Sequence, residues 1–150
     1  MRAVIQRVSF AKVKVDDKII AQIDLGILVL LGIEDEDDAS DIGWLAKKIL
    51  ALRIFSDEDD KMNCDLEDVN GGLLVVSQFT LHASTKKGTR PSFIKSAKPE
   101  KAIPIYEDFI SKCEELLGKK VEIGKFGAMM EVELINDGPV TIIIDTKNKE

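Results

Sequence analysis

Met130-Glu131-Val132-Glu133-Leu134-Ile135-Asn136-Asp137-Gly138-Pro139-Val140-Thr141-Ile142-Ile143-Ile144, residues 130–144, is the stretch on which the fold turns. Val132 and Leu134 alternate with Glu131 and Glu133, the period-2 signature of a half-buried strand, and Val140 to Ile144 is apolar enough for another. An Asp-Gly pair between such runs is a hairpin signal, so Val140 to Ile144 is expected to be the return partner of the first run. The proline directly after it removes a backbone N–H that a following central strand would use, which places the turn at a sheet edge or gives the backbone a special task.

Working outward, Ala11, Val13 and Val15 alternate with Lys12 and Lys14, Ile19-Ile20 follows, and Ile27-Leu28-Val29-Leu30-Leu31 is continuous enough for a central strand buried on both faces. Asp16-Asp17 and Asp24-Leu25-Gly26 supply turns. Ile42, Leu45, Ala46, Ile49 and Leu50 recur at helical spacing with Ser40 or Asp41 as N-cap. Trp44 on this helix reads as a packing residue. Leu73-Leu74-Val75-Val76 is a short buried strand. Tyr106, Phe109, Ile110, Cys113, Leu116 and Leu117 mark a second amphipathic helix, with Pro104 in its first turn and Gly118 at its end. About seven strands clustered around two helices predict an α+β domain built on a mainly antiparallel, barrel-like sheet, and 150 residues without a linker or repeat predict a single domain over 1–150.

No run approaches the roughly 20 apolar residues of a membrane span, and Met1-Arg2-Ala3-Val4-Ile5-Gln6-Arg7 lacks the layout of a signal peptide, so a cytoplasmic location is expected. Cys64 and Cys113 are far apart, with no Cys-x-x-Cys spacing, which argues for idle thiols. The net charge of −6 disfavours nucleic acid at first sight, but it hides an asymmetry. Thr85 to Lys101 holds six basic residues (Lys86, Lys87, Arg90, Lys95, Lys98, Lys101) against the single acid Glu100, whereas Glu34 to Asp41 holds six acids and no base. A basic segment on an acidic body can grip one RNA end, or can be merely a solvated loop.

Candidate chemistry is narrowed by exclusion. The acidic connection after Phe55 fails as an EF-hand, since Met62 stands where the loop needs Gly and Asp68 where it needs Glu. His82, the one histidine, is five residues from Ser77 along one strand and so on the opposite face, and Val75-Val76-Ser77-Gln78-Phe79 lacks the Gly-x-Ser-x-Gly elbow. Cys64 lies among carboxylates that raise its pKa. Neither a metal cluster nor a phosphate-cradling glycine loop is evident, and no cofactor is expected. Ser77, Gln78 and Thr80, with the backbone amides of their turn, remain. They can stabilise an oxyanion without supplying a base, and by themselves they would equally suit a binding pocket or a polar strand end.

Ser77-Gln78-Phe79-Thr80-Leu81, then Lys87-Gly88 and Arg90-Pro91-Ser92-Phe93, then Gly127-Ala128 with Asn136-Asp137-Gly138-Pro139-Val140-Thr141, resemble the D-aminoacyl-tRNA deacylases, which hydrolyse the ester joining a D-amino acid to tRNA. The likeness runs from Met1 to about Asp145. It implies a homodimer in which a cis Gly138-Pro139 reaches from one subunit into its partner's pocket, facing the Ser77 to Leu81 segment. It further implies no protein nucleophile, with help from the 2′-hydroxyl of the terminal ribose. Ser77, Gln78, Phe79 and Thr80 would be the catalytic set, with Thr80's role open between chemistry and positioning. Gly138 and Pro139 would reject L-amino acids, Arg7 would hold the entering motif, and Lys86, Lys87 and Arg90 would touch tRNA weakly. A wall that admits hydrogen but not a side chain also implies action on Gly-tRNA, and the resemblance extends this to glycine mischarged on tRNA(Ala). The chain departs from the family pattern at Phe10-Ala11-Lys12, where small polar residues are usual, and at His82, where an aromatic hydroxyl is usual.

Overall fold

A computed structural model describes residues 1–149. Strand β1 (Arg2–Val15) is the spine. It turns through Asp16 and Asp17, whose φ angles of 50° and 62° are those of a tight I′ turn, into β2 (Lys18–Ile23), and β3 (Gly26–Gly32) then runs on along the same edge. The register is unbroken from Ala11↔Ile23 in β2 to Val8↔Gly26 in β3. Helix α1 (Ala39–Leu50), the short hairpin of β4 (Phe55–Ser56) and β5 (Met62–Cys64), and β6 (Gly72–Ser77) follow. After a 3-10 turn at Phe79–His82 come α2 (Pro99–Leu117), β7 (Glu122–Ile123) and β8 (Glu131–Asp145).

The strands lie in the order β2-β1-β3-β6-β7, with β8 on the other side of β1, and they curl into a nearly closed, barrel-like sheet. The fold is the expected α+β type, and its pairings about β1 are antiparallel. Two pairings are parallel, β3 with β6 and β6 with β7. Each helix is the crossover that a parallel neighbour requires, a role that clustered strands in the sequence conceal. Where β3 and β6 begin side by side, a Cβ on Gly26 would lie 2.0 Å from the Gly72 carbonyl oxygen, so only glycine fits.

Side-chain alternation divides the interior in two. Ile27, Val29 and Leu31 of β3 and Leu73 and Val75 of β6 face α1 and α2, packing on Leu45, Ile49, Phe109 and Cys113. Leu28, Leu74 and Val76 face the inside of the curled sheet with Val8, Ala11 and Val13. β1 serves both cores by changing face: Ala3 and Ile5 lie on the helix side and Ala11 and Val13 on the other, with an irregularity between Val8 and Phe10.

Residues 130–144 are not a hairpin. They form one strand antiparallel to β1 throughout, from Lys14↔Glu131 to Arg2↔Asp145. Gln6 pairs with Thr141 and Val8 with Asn136, so Asp137 to Val140 bulge out opposite Arg7 alone. Val132 and Leu134 pack on the inner core and Ile142 and Ile144 on the helix-side core, which is why the apolar pattern is interrupted without a chain reversal.

Both helices start earlier than expected. Asp38, not Ser40 or Asp41, caps α1, and its carboxylate accepts from the Ser40 and Asp41 amides while Asp41 accepts from the Asp38 amide. Pro99 occupies the first turn of α2 and leaves Pro104 inside the helix, which ends at Gly118 as expected. Trp44 is half-buried against the helix-side core, with the Lys149 ammonium 4.5 Å from its ring centroid.

Asp41 is held by Lys147 at 2.7 Å. Burial alone would raise its carboxyl, but bonds from Lys147, Thr146 and the Asp38 amide outweigh it and bring the carboxyl below the usual range. A depressed carboxyl contributes stability that is complete above its unfolded pKa of about 3.9 and is lost as pH falls through the lower folded value. Lys147→Met should therefore destabilise the protein in urea at pH 7 and cost much less near pH 2. A cost equal at the two pH values would refute this assignment.

Candidate active site

Strand β6 delivers the polar segment to the mouth of a cavity. Ser77 is its last residue, paired with Leu31 of β3, and the Gln78 amide donates to the Leu31 carbonyl at 2.8 Å. The chain then tightens into the 3-10 turn. The amides of Phe79 and Thr80, at its first two positions, have no acceptor within the turn, as the start of any helix dictates, and take no other backbone partner among the described residues. Gln78 donates from its side-chain amide to the Thr80 hydroxyl.

The cavity holds about 620 Å³ and is lined by Ser77, Gln78 and Phe79 on one wall and by Phe126, Gly127, Ala128 and Met130 on another. The Arg90-Pro91-Ser92-Phe93 motif closes on it: the Phe93 ring meets Phe79 edge-on at 5.0 Å, and the Ser96 hydroxyl donates to the Phe79 carbonyl at 2.8 Å. Tyr106 of α2 steadies β6 from behind, its buried hydroxyl donating to the Val75 carbonyl at 2.9 Å, and burial pushes its own pKa up. The described residues of the wall include no Asp, Glu, His or Cys, and its charged member is Lys98. Such a site can position an ester and meet a developing oxyanion with amides, but it holds no general base.

The other candidates lie apart. Thr80 is exposed and outside the lining, tied to Gln78. His82 is buried and lines a different cavity from Ser77, so no Ser-His pair forms. Lys86, Lys87 and Arg90 stand exposed on a loop pinched at its base, where the Ser84 and Ser92 backbones exchange hydrogen bonds of 2.8 and 2.9 Å. Gly138–Pro139 is cis, as the resemblance implies, exposed, and absent from its own chain's cavity wall. Arg7, nearly buried, braces that bulge from beneath: Nη1 donates to the Ile54 carbonyl at 2.6 Å, and Nε lies 3.2 Å from the Asp137 carbonyl oxygen and 3.1 Å from its carboxylate.

Both thiols are inert. Desolvation, then Asp68, Asp57 and Asp65, raise the Cys64 thiol, while burial pushes Cys113 up to about 12. No group of three metal-ligating side chains occurs among the described residues. Ser96, Phe126 and Tyr106 are contributors that sequence reasoning missed as site residues. Only Tyr106 carried a signal, since a hydroxyl on the apolar face of a helix must find a buried partner.

A curled sheet whose cavity, at the end of a parallel strand, has no side-chain base in its described wall is no triad enzyme. The profile of the family D-Tyr-tRNA(Tyr) deacylase matches residues 4–145. Proteins named D-aminoacyl-tRNA deacylase from Flavobacterium psychrophilum and Cytophaga hutchinsonii are 61% and 62% identical to this chain over 150 residues, with both chains covered completely. Among solved structures, one titled c-Myc DNA Unwinding Element Binding Protein superposes with a TM-score of 0.91 at 40% identity, covering 97% of this chain and 98% of its own. A second, titled as a probable eukaryotic D-amino acid tRNA deacylase, gives 0.81 at 18% identity over 95% and 97%, a likeness of fold. The chain belongs to the D-Tyr-tRNA(Tyr) deacylase family. It is an enzyme of that family, a D-aminoacyl-tRNA deacylase.

Proposed function

We propose that the chain works as a cytoplasmic homodimer that clears D-amino acids and glycine from tRNA, including glycine mischarged on tRNA(Ala), and spares L-aminoacyl-tRNA. The observation that carries the reading is the cavity wall, which offers Ser77, Gln78 and Phe79 and no side-chain base. In this scheme water attacks the ester carbonyl and the terminal 2′-hydroxyl assists the proton transfer. The unpaired Phe79 and Thr80 amides receive the oxyanion, and the carbon–oxygen bond breaks to release the amino acid and the 3′-hydroxyl. Gly138 and Pro139 come from the partner subunit, held by Arg7 of their own chain, and close the pocket against a side chain in the L configuration. Lys86, Lys87 and Arg90 meet the RNA. In support of the dimer, Ile135 and Ile143 stand 60% and 68% exposed on β8, whose one pairing is with β1.

Hydrolysis of D-Tyr-tRNA, L-Tyr-tRNA and Gly-tRNA by the purified chain tests the scheme. The first and third should be cleaved and the second spared; cleavage of D-Tyr-tRNA with none of Gly-tRNA would refute the wall. Thr80→Ala should retain D-specific hydrolysis to within roughly tenfold, the scale of one hydrogen bond. A near-total loss accompanied by a trapped acyl-enzyme would make Thr80 a nucleophile instead.

A further inference from the structure

Behind the 3-10 turn lies a second cavity, of about 450 Å³, whose wall includes Arg2, Glu34, His82, Ser84, Lys86 and Lys95. Its character is the reverse of the first: polar, cationic and open at the basic loop. His82 is 3% exposed, and its Nε2 has no hydrogen-bond partner among the described residues. The ring packs against the Gly32 backbone, where an added Cβ would sit 3.0 Å from His82 Cδ2. A buried ring nitrogen left without a partner is costly, and such atoms in native proteins call for a ligand or a role.

The charges point to what the ligand is. Lys86 and Lys95 make no ion pair among the described residues. Arg2 is fixed rather than free: Nε and Nη2 donate to Asp145 at 3.0 and 2.7 Å and Nη1 to the Leu81 carbonyl at 2.7 Å, which still leaves guanidinium N–H donors to spare. Glu34 is the one carboxylate on this wall, and with Arg2 balanced by Asp145 the two lysines still leave it net positive.

The two cavities are neighbours three times over in sequence: Phe79 and His82 are the two ends of one 3-10 turn, Ile33 adjoins Glu34, and Ser96 adjoins Lys95. At about 2 Å of rise per residue the turn separates them by roughly 6 Å, within one nucleotide's reach.

We infer that the His82 cavity is a phosphate subsite, which holds the phosphodiester joining the last two nucleotides of the RNA while the terminal nucleoside occupies the first cavity. The inference rests on the deacylase reading for its choice of ligand. His82 Nε2, closed off from solvent, donates to a phosphate oxygen once the ring turns into the cavity it lines, Lys86 and Lys95 supply charge, and Arg2 fixes the floor. The contact is independent of base identity, and it gives grip next to the scissile ester without touching the amino acid.

Because His82 is the only histidine, one imidazole signal in a proton–nitrogen correlation spectrum reports on the cavity. Titration of the dimeric protein with the dinucleotide CpA, the 3′ end of mature tRNA, should shift that signal saturably, and adenosine alone should not. Lys86→Ala with Lys95→Ala, both at exposed positions that fold should tolerate, should weaken CpA at least tenfold and raise the KM for D-Tyr-tRNA. The slope of log KM against log salt should fall by about 0.7, the value for one phosphate on a single strand.

A shift with inorganic phosphate but not with CpA would mean a pocket for a free anion and overturn the RNA assignment. Equal shifts with CpA and adenosine would trace the effect to the first cavity, and no shift with any of them would also refute the subsite. A CpA response without hydrolysis of D-Tyr-tRNA would uphold the subsite and sink the deacylase reading, whereas hydrolysis without a CpA response would sink the subsite alone.

Discussion

Gly138→Ala should lower kcat/KM for D-Tyr-tRNA by about 10²-fold or more and leave the far-ultraviolet circular dichroism unchanged. Gly138 has φ +121°, a region closed to L side chains, and a Cβ there would lie 2.8 Å from Arg7 Nη2 and 2.9 Å from Val140 Cγ2. Neither neighbour can give way freely. Arg7 is tied at one end to Ile54 and at the other to Asp137, and Val140 packs on the helix-side core. The bulge itself must therefore shift, and on the proposed reading, in which it walls the partner's pocket, a displacement near 1 Å is worth about two orders of magnitude in rate. The surrounding pairs of β8 with β1 persist on both sides, so the fold survives. If the bulge acts across the subunit interface, co-expressing Gly138→Ala with Gln78→Ala should restore activity in mixed dimers, where one site has both parts intact. No recovery in verified mixed dimers would place both parts in one subunit.

Asp37→Ala should cost about 3 to 5 kcal/mol, a fall in Tm on the order of 10 °C for a chain of this size. The Met1 ammonium is fully buried against the Asp37 carboxylate, which is likewise buried. The ammonium also donates to the Thr146 hydroxyl at 2.6 Å, and the Thr146 amide returns a bond to the Met1 carbonyl at 2.9 Å. Removing Asp37 strands the ammonium, since Thr146 offers a dipole but no charge. The acid also receives the Glu34 amide at 2.8 Å, so the chain's turn toward α1 loosens with it. Thermal unfolding at fixed protein concentration is the measurement, and a change under 2 °C would show that the end of the chain relaxes into water at little cost.

Much of this architecture was readable from residue pattern. The run Ile27 to Leu31 is buried on both faces as its unbroken apolar content predicts, and both amphipathic helices occur where the spacing of Ile42 to Leu50 and Tyr106 to Leu117 places them. The failure at residues 130–144 has a definite cause. A local Asp-Gly signal reports that the chain bends, not which strand it pairs with, and β1 is long enough to partner both halves. The helix starts were missed because Asp38 and Pro99 lie among other acids and lysines that obscure a cap. At the site, Ser77, Gln78 and Thr80 were visible as polar residues after a buried strand, and Phe79 came from the family resemblance. Ser96 and Phe126 were not visible, since Ser96 reaches Phe79 and Phe126 joins the cavity wall only through tertiary folding.

β8 is anchored in both interiors at once, and its bulge sits at the crossing. Loosening either interior would therefore free one flank of the segment that carries Gly138 and Pro139. On the proposed reading this ties fidelity to integrity. A selective enzyme that lost its gate but kept its cavity would strip amino acids from ordinary charged tRNA, at great harm to translation. With the gate spliced into both packing units, damage to either one reaches the gate as well.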